Sequence, residues 1–297
     1  MAATPFDTSG ALDEHALRAH LRRMVDAGVA VYLGSGGAGE GHALTMDELR
    51  RIYEIGVEEC KGRVPTYANP RESRTADSML ELAQAAVRAD VEVVQLYPVD
   101  AGHGMRPTPA EQDAYYRDLL DAIDHPTALS VHVAVGYITP IPLLAQLCND
   151  YAQVVAVNLM GTPPSYQVEL ADALRDGIDL YVPISFMVQG LALGARGCLA
   201  AEPNIAPRLC RSLVDAWIAG DIQRAGARQA DVLRLASIVN RWAPSTARWV
   251  KMALKVLGLP GGNGQLRKPY LLPPDEDQQA MAAAFDAIGL RQLERMA

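Results

Sequence analysis

Apolar runs of strand length alternate with segments of helical period from one end of this chain to the other. The runs are Val29 to Gly34, Val64 to Ala68, Val91 to Tyr97, Ala128 to Val133, Val154 to Leu159, Leu180 to Ile184 and Gly197 to Ala201. They are apolar over consecutive positions, as parallel strands covered on both faces are. Between them, residues such as Leu17, Leu21, Met24 and Val25 share one helical face. Thr45-Met46-Asp47-Glu48 and Thr108-Pro109-Ala110-Glu111 read as capping boxes, the second with proline at the first helical position. Seven strands, with a short one around Ala3 to Phe6, make eight β/α units and predict an α/β fold, a TIM (β/α)8 barrel, rather than an open sheet. Only five residues precede Phe6, so the first strand is expected to be either stubby or built in part from residues outside this sequence. Past Pro207 the pattern is helical only, with candidate helices at Asp221 to Arg241, Ser245 to Leu257 and Glu276 to Leu290. The expected organisation is a barrel over 1–220 and a C-terminal helical extension over 221–297.

A net charge of −8 without long runs of either sign argues against nucleic acid or an anionic membrane as partner. No stretch approaches the ~20 apolar residues of a membrane span, and no basic segment leads into an apolar one at the start of the chain. A soluble, cytoplasmic protein is expected. Cys60, Cys148, Cys198 and Cys210 lack metal or redox spacing and read as small buried apolar residues. The glycine-rich run Gly34 to Gly39 has neither the P-loop ending nor the dinucleotide spacing, so it reads as a tight strand-to-helix loop. Tyr115, Tyr116, Trp217, Trp242 and Trp249 fall at helical positions and read as packing residues.

Several short segments occur in a characteristic order. Thr4-Pro5-Phe6 is followed by Gly10-Ala11-Leu12-Asp13, and Gly36-Gly37-Ala38-Gly39-Glu40 by Ala43-Leu44-Thr45 and Glu48. Leu191 to Gly197 precede Asn204 and Pro207, and Val250 to Lys255 precede Arg267-Lys268-Pro269. In this order the chain resembles the dihydrodipicolinate synthase and N-acetylneuraminate lyase superfamily. The resemblance implies a barrel, a small-molecule substrate of carbonyl type, assembly as a homodimer or homotetramer, and a Schiff-base lysine on the sixth barrel strand, counting the short N-terminal strand as the first. Asn158, in the run Val154 to Gly161, stands at that place, and a neutral amide cannot act as a nucleophilic amine. The family's Gly-Thr-Thr-Gly-Glu loop has Gly37 and Ala38 for its two threonines. Its fifth-strand tyrosine aligns with His132, or with Ser130 after a slip of one or two residues. Its Pro-Tyr-Tyr segment reads Pro98-Val99-Asp100. The lysines Lys61, Lys251, Lys255 and Lys268 precede a strand or lie in the tail, and none sits at the C-terminal end of a strand, where barrel active sites form.

Glu40 and His42 follow the second strand, Asp100 and His103 the fourth, His132 lies on the fifth and Asn158 on the sixth, and all are expected at one mouth. His132 is the candidate proton donor or acceptor, and Asn158 the hydrogen-bond donor to a carbonyl or enolate oxygen. Glu40 is the third catalytic candidate, against a reading in which it only shapes its loop. Gly37, Ala38, Asp100, His103, Tyr137, Met160 and Phe186 are candidates for contact with substrate. Leu159, Met160, Phe186 and Met187 make the expected mouth apolar, which suits a larger and less polar ligand than pyruvate. The predicted function is a lyase or aldolase-family enzyme that makes or breaks a C–C or C–O bond beside a carbonyl by lysine-independent acid-base catalysis, with no cofactor and no metal. One alternative is a non-catalytic small-molecule-binding or regulatory homologue. Another is a metal-assisted aldolase or hydratase using His132, His103, His42, Glu40 and Asp100, although none of these has local ligand spacing.

Overall fold

Each apolar run overlaps a strand in the computed structural model, which describes residues 1–242, 246–263 and 265–296. The strands are β1 (Val31–Leu33), β2 (Thr66–Ala68), β3 (Val93–Leu96), β4 (Thr127–His132), β5 (Val154–Met160), β6 (Asp179–Pro183) and β7 (Gly197–Leu199). They are ordered as in the chain, and from β2 to β7 each neighbouring pair is parallel. The helices are α1 (Glu14–Asp26), α2 (Met46–Cys60), α3 (Ala76–Arg88), α4 (Pro109–Ala122), α5 (Ile141–Asp150), α6 (Pro164–Ala173), α7 (Met187–Ala192), α8 (Pro207–Ile218), α9 (Ile222–Val239), α10 (Thr246–Leu257), α11 (Asp275–Ala287) and α12 (Leu290–Glu294). Both capping boxes form: Thr45 and Thr108 each accept from the backbone N–H three residues on, and Glu48 and Glu111 reach back. Of the expected C-terminal helices, Ser245 lies outside the described residues. The third divides into α11 and α12 at Gly289, whose φ of 65° is left-handed.

The expected first strand is a correction. Among the described residues, Ala3 to Phe6 do not form one, and Phe6 makes a single antiparallel bridge to Leu12. The reason lies in where the backbone donors go. Ala2 N–H reaches Tyr32 O at 2.7 Å, Ala3 N–H is taken by the Asn204 side chain at 2.8 Å, and Pro5 has no N–H to give. The segment is still buried, with Ala2, Ala3, Thr4 and Phe6 almost wholly shielded. Asn204 also donates to Met1 O and Ala201 O, and its Oδ1 lies 2.8 Å from His20 Nε2.

The chain divides into two compact units, residues 1–66 with 200–297, and residues 67–199. In the second unit the two faces of the sheet differ in chemistry. Val94, Leu96, Leu129, Val131, Val157, Leu159, Leu180 and Val182 alternate onto one face and are buried. Helices pack on that face so closely that a Cβ on Gly190 of α7 would come within 2.5 Å of Val182. The register places Ser130 beside Asn158 and Asn158 beside Tyr181, and Gln95 beside Ala128. These residues share the opposite face, away from the helices. In the first unit, β1 and helices α1, α2 and α8 to α12 bury a core that includes Leu17, Leu21, Leu49, Leu213 and Leu254.

Candidate active site

A row of uncharged polar side chains crosses the helix-free face of the second unit. Asn69 follows β2, Gln95 lies on β3, Ser130 on β4 and Asn158 on β5, and all four are buried. Asn158 Nδ2 donates a short hydrogen bond to Gln95 Oε1, and Gln95 Nε2 donates to Asn69 Oδ1 at 3.1 Å. The three amides therefore fix one another's rotamers. Ser130 is the exception, because its buried hydroxyl has no hydrogen-bond partner among the described residues. A buried polar group without a partner costs stability, and this one is the register neighbour of Asn158.

His132 lies two residues beyond Ser130 on β4 and pairs with Met160, two beyond Asn158 on β5. The four therefore stand on one face in two successive layers. The His132 ring meets the edge of Tyr97 at 5.8 Å between centroids, and its Nδ1 accepts the Ala134 backbone N–H at 3.2 Å. Burial lowers its pKa, against the opposing pull of the Glu72 charge. Burial thus favours the neutral form of the ring. The loops after β3 and β4 are joined beside it: Tyr137 OH donates to Val99 O at 2.9 Å, and Ala101 N–H to Val135 O at 3.0 Å. Burial first, and the Asp100 charge second, push the Tyr137 phenol up to about 12.

Asp100, His103 and Phe186 also lie in the second unit. Asp100 is in an ion pair with Arg74 at 3.3 Å, and the same guanidinium crowds Gly102, where a Cβ would come within 2.5 Å. His103 is exposed in a left-handed turn with φ 56°. Phe186 is 55 % exposed and lines a shallow groove with Leu159, Val182 and Gln189, on the helix-bearing side of the sheet. Leu159 faces away from Asn158 for the same reason of alternation.

Glu40, Gly37 and Ala38 belong to the first unit, in the loop after β1. The loop is tight, as its glycines suggested: a Cβ on Gly41 would lie 2.2 Å from Gly34 O, and Glu40 itself adopts φ 52°. Ala38 is fully buried. Glu40 is buried too, in a close ion pair with Lys251 of α10, both side chains being 1 % exposed. Its second oxygen accepts the Arg267 backbone N–H at 3.1 Å. Lys251 Nζ also donates to Gln265 O at 2.7 Å and stands 4.0 Å from the Phe6 ring centroid. Arg267 covers the same ring at 4.3 Å and grips Glu48 of the capping box. Burial pushes the Lys251 pKa down to about 8, although Glu40 pulls the other way. This arrangement favours the loop-shaping reading of Glu40.

Gln95 and Asn69 were not among the sequence candidates. Gln95 did leave a signal, a lone amide inside the apolar run Val93 to Leu96.

A (β/α) chain with a polar row on the sheet face opposite its helices is, as a class, an α/β protein of the TIM-barrel kind. Comparison narrows this. The model of the dihydrodipicolinate synthetase family matches residues 1–288, and the chain belongs to that family. It is 30% identical over 292 residues to an uncharacterized DapA-like lyase of Halobacterium salinarum, covering 97% of this chain and 92% of the relative. It is 26% identical over 288 residues to a 4-hydroxy-tetrahydrodipicolinate synthase of Pelobacter propionicus, covering 97% and 96%. Among solved structures, dihydrodipicolinate synthase from Aquifex aeolicus superposes with a TM-score of 0.88 at 20% identity, covering 97% of this chain and 96% of that one.

Proposed function

We propose that the chain is a lyase that makes or breaks a C–C or C–O bond beside a carbonyl without forming a Schiff base. The lyase reading is supported by the names of its relatives. The lysine-independent reading rests on Asn158, buried in the amide row on β5, and on the composition around it: residues 67–199 contain no lysine. The Asn158 amide, its rotamer held by Gln95, meets the substrate's carbonyl or enolate oxygen, and the Ser130 hydroxyl is a second donor beside it. Because His132 Nδ1 accepts an N–H, the proton of the neutral ring is assigned to Nε2. His132 then polarises the oxygen from the next layer as a hydrogen-bond donor, which needs no charge at neutral pH. The apolar neighbours Met160 and Tyr97 suit a substrate with more carbon than pyruvate.

A panel of 2-oxo acids with borohydride tests the absence of a Schiff base. No lysine adduct is expected by mass spectrometry. Lys251 is the second arm of the test, since a pKa near 8 suits an amine nucleophile, even though Glu40 and burial enclose it. An adduct dependent on the keto acid, at Lys251 or any other lysine, would overturn the proposal. With the substrate that turns over, Asn158→Ala should lower kcat/KM by about 100- to 1,000-fold, the loss of one oxyanion donor. An unchanged rate in Asn158→Ala would remove the residue from the site.

A further inference from the structure

A second site lies in the first unit, far down the chain from the amide row. Helices α8, α9 and α12 border an open pocket of about 270 Å3 lined by Arg208, Leu209, Ser212, Arg224, Arg228, Leu293 and Arg295. Four guanidinium groups around one small cavity are notable in a chain whose net charge is −8. Arg208 and Ser212 are one turn apart on α8, and Arg224 and Arg228 are one turn apart on α9, so each helix presents its pair on one side. Arg295 closes the set from the end of α12.

The local acids compensate the cluster only in part. Glu294 is buried with its two oxygens on the backbone N–H groups of Arg208 and Leu209, at 3.1 and 2.7 Å, where it caps α8. Asp221 caps α9 through the Arg224 backbone N–H at 2.9 Å. Asp231 bridges Arg228 at 3.3 Å and Arg234 at 2.7 Å. Among the described residues, no carboxylate forms an ion pair with Arg208, Arg224 or Arg295, whereas Arg18, Arg51, Arg117 and Arg267 are all paired. The buried Arg228 Nε–H has no acceptor. Like charges four residues apart on a helix repel, and a bound anion would relieve the repulsion between Arg224 and Arg228.

We propose that this cavity binds a small polyanion carrying two or more phosphate or carboxylate groups. Guanidinium groups are planar forks that take such oxygens two at a time, and four of them call for more than one anionic group. The size of the cavity, just below the range of drug-sized pockets, suits a compact ligand rather than a nucleotide with its base.

Isothermal titration of the full chain at constant ionic strength tests this with pyrophosphate, citrate and acetate as probes. Saturable binding is expected for pyrophosphate or citrate, the stronger of the two identifying the phosphate or the carboxylate source, and no binding for acetate. Arg224→Ala and Arg295→Ala remove exposed side chains and should each weaken the complex about tenfold with an unchanged melting curve. Arg106→Ala, at an exposed arginine of the other unit, should leave affinity as it was. Failure of both polyanions to saturate, or equal affinity in the wild type and the two cavity variants, would overturn the proposal.

Discussion

Lys251→Met is the substitution whose consequence the structure constrains most closely. It keeps the length and the apolar stem of the side chain and removes only the ammonium. At pH 7 that ammonium is charged, since its pKa lies near 8, and both it and Glu40 are almost wholly shielded from water. Breaking a buried pair by removing one partner typically costs about 3–5 kcal/mol, because the other charge is left uncompensated. Two features set the position within that range. The Arg267 N–H still serves one Glu40 oxygen at 3.1 Å, which favours the lower half. Loss of the cation 4.0 Å from the Phe6 ring adds about 0.5–2 kcal/mol in the other direction. The measurement is urea unfolding at pH 7 of wild type, Lys251→Met, Glu40→Gln and the double variant. The double variant should recover most of the loss, as neutral replacements of buried pairs often do. A loss below about 1 kcal/mol in Lys251→Met, or a double variant that costs the sum of the singles, would refute the account of a desolvated, mutually dependent pair.

Three further outcomes are expected. Burial pushes the His20 pKa down from 6.5 to about 4, so between those values the unfolded chain binds the extra proton. Stability should therefore fall as pH drops from about 6.5 to 4, by on the order of 3 kcal/mol, and His20→Gln measured over the same interval should show a flatter profile. Gln95→Leu takes the acceptor from Asn158 and the donor from Asn69, leaving two buried amides short of a bond. A loss of about 1–3 kcal/mol is expected for each, together with reduced turnover, and a variant as stable as wild type would show that the amides re-pair. The chain should sediment as a homodimer or homotetramer, the common result for closed symmetric enzymes, and a monomer at micromolar concentration would contradict this.

Most of the fold was legible because strand interiors and helix caps are local. The seven runs needed only apolar continuity, and Thr45 with Glu48 and Thr108 with Glu111 needed only a spacing of three. The first strand was misjudged because its fate is decided by Asn204 and Tyr32, which no local pattern connects to Ala2 and Ala3. Register explains the ambiguity between His132 and Ser130. Both alternate onto the same face, and only the pairing of Ser130 with Asn158 shows which shares its layer. Glu40 illustrates a different limit. Its partner Lys251 lies on α10, and a buried ion pair between segments so distant in sequence leaves no trace in either one. The arginine cavity was invisible for the same reason, since its side chains come from three helices that are separately unremarkable.

The contrast between the two polar clusters bears on what kind of substrate the amide row can accept. Around Glu40 the charges are mutually compensated, so little field is left over for a ligand. The row of Asn69, Gln95, Ser130 and Asn158 is uncharged, and fixed dipoles of this type stabilise negative charge where it develops without first being neutralised by their surroundings. A protonated Schiff base is a stronger electron sink than any one such donor, whose removal costs about 2.7–4 kcal/mol in known oxyanion holes. On the proposed reading, a chain with no amine on β5 needs several donors on one oxygen: Ser130 is the register neighbour of Asn158, and His132 stands on the same face one layer on. Even so, hydrogen bonds alone leave more of the carbanion's cost to the substrate. On the proposed reading, then, the favoured substrates are those whose developing negative charge is already delocalised by a second activating group beside the carbonyl, and unsubstituted pyruvate is among the least suited.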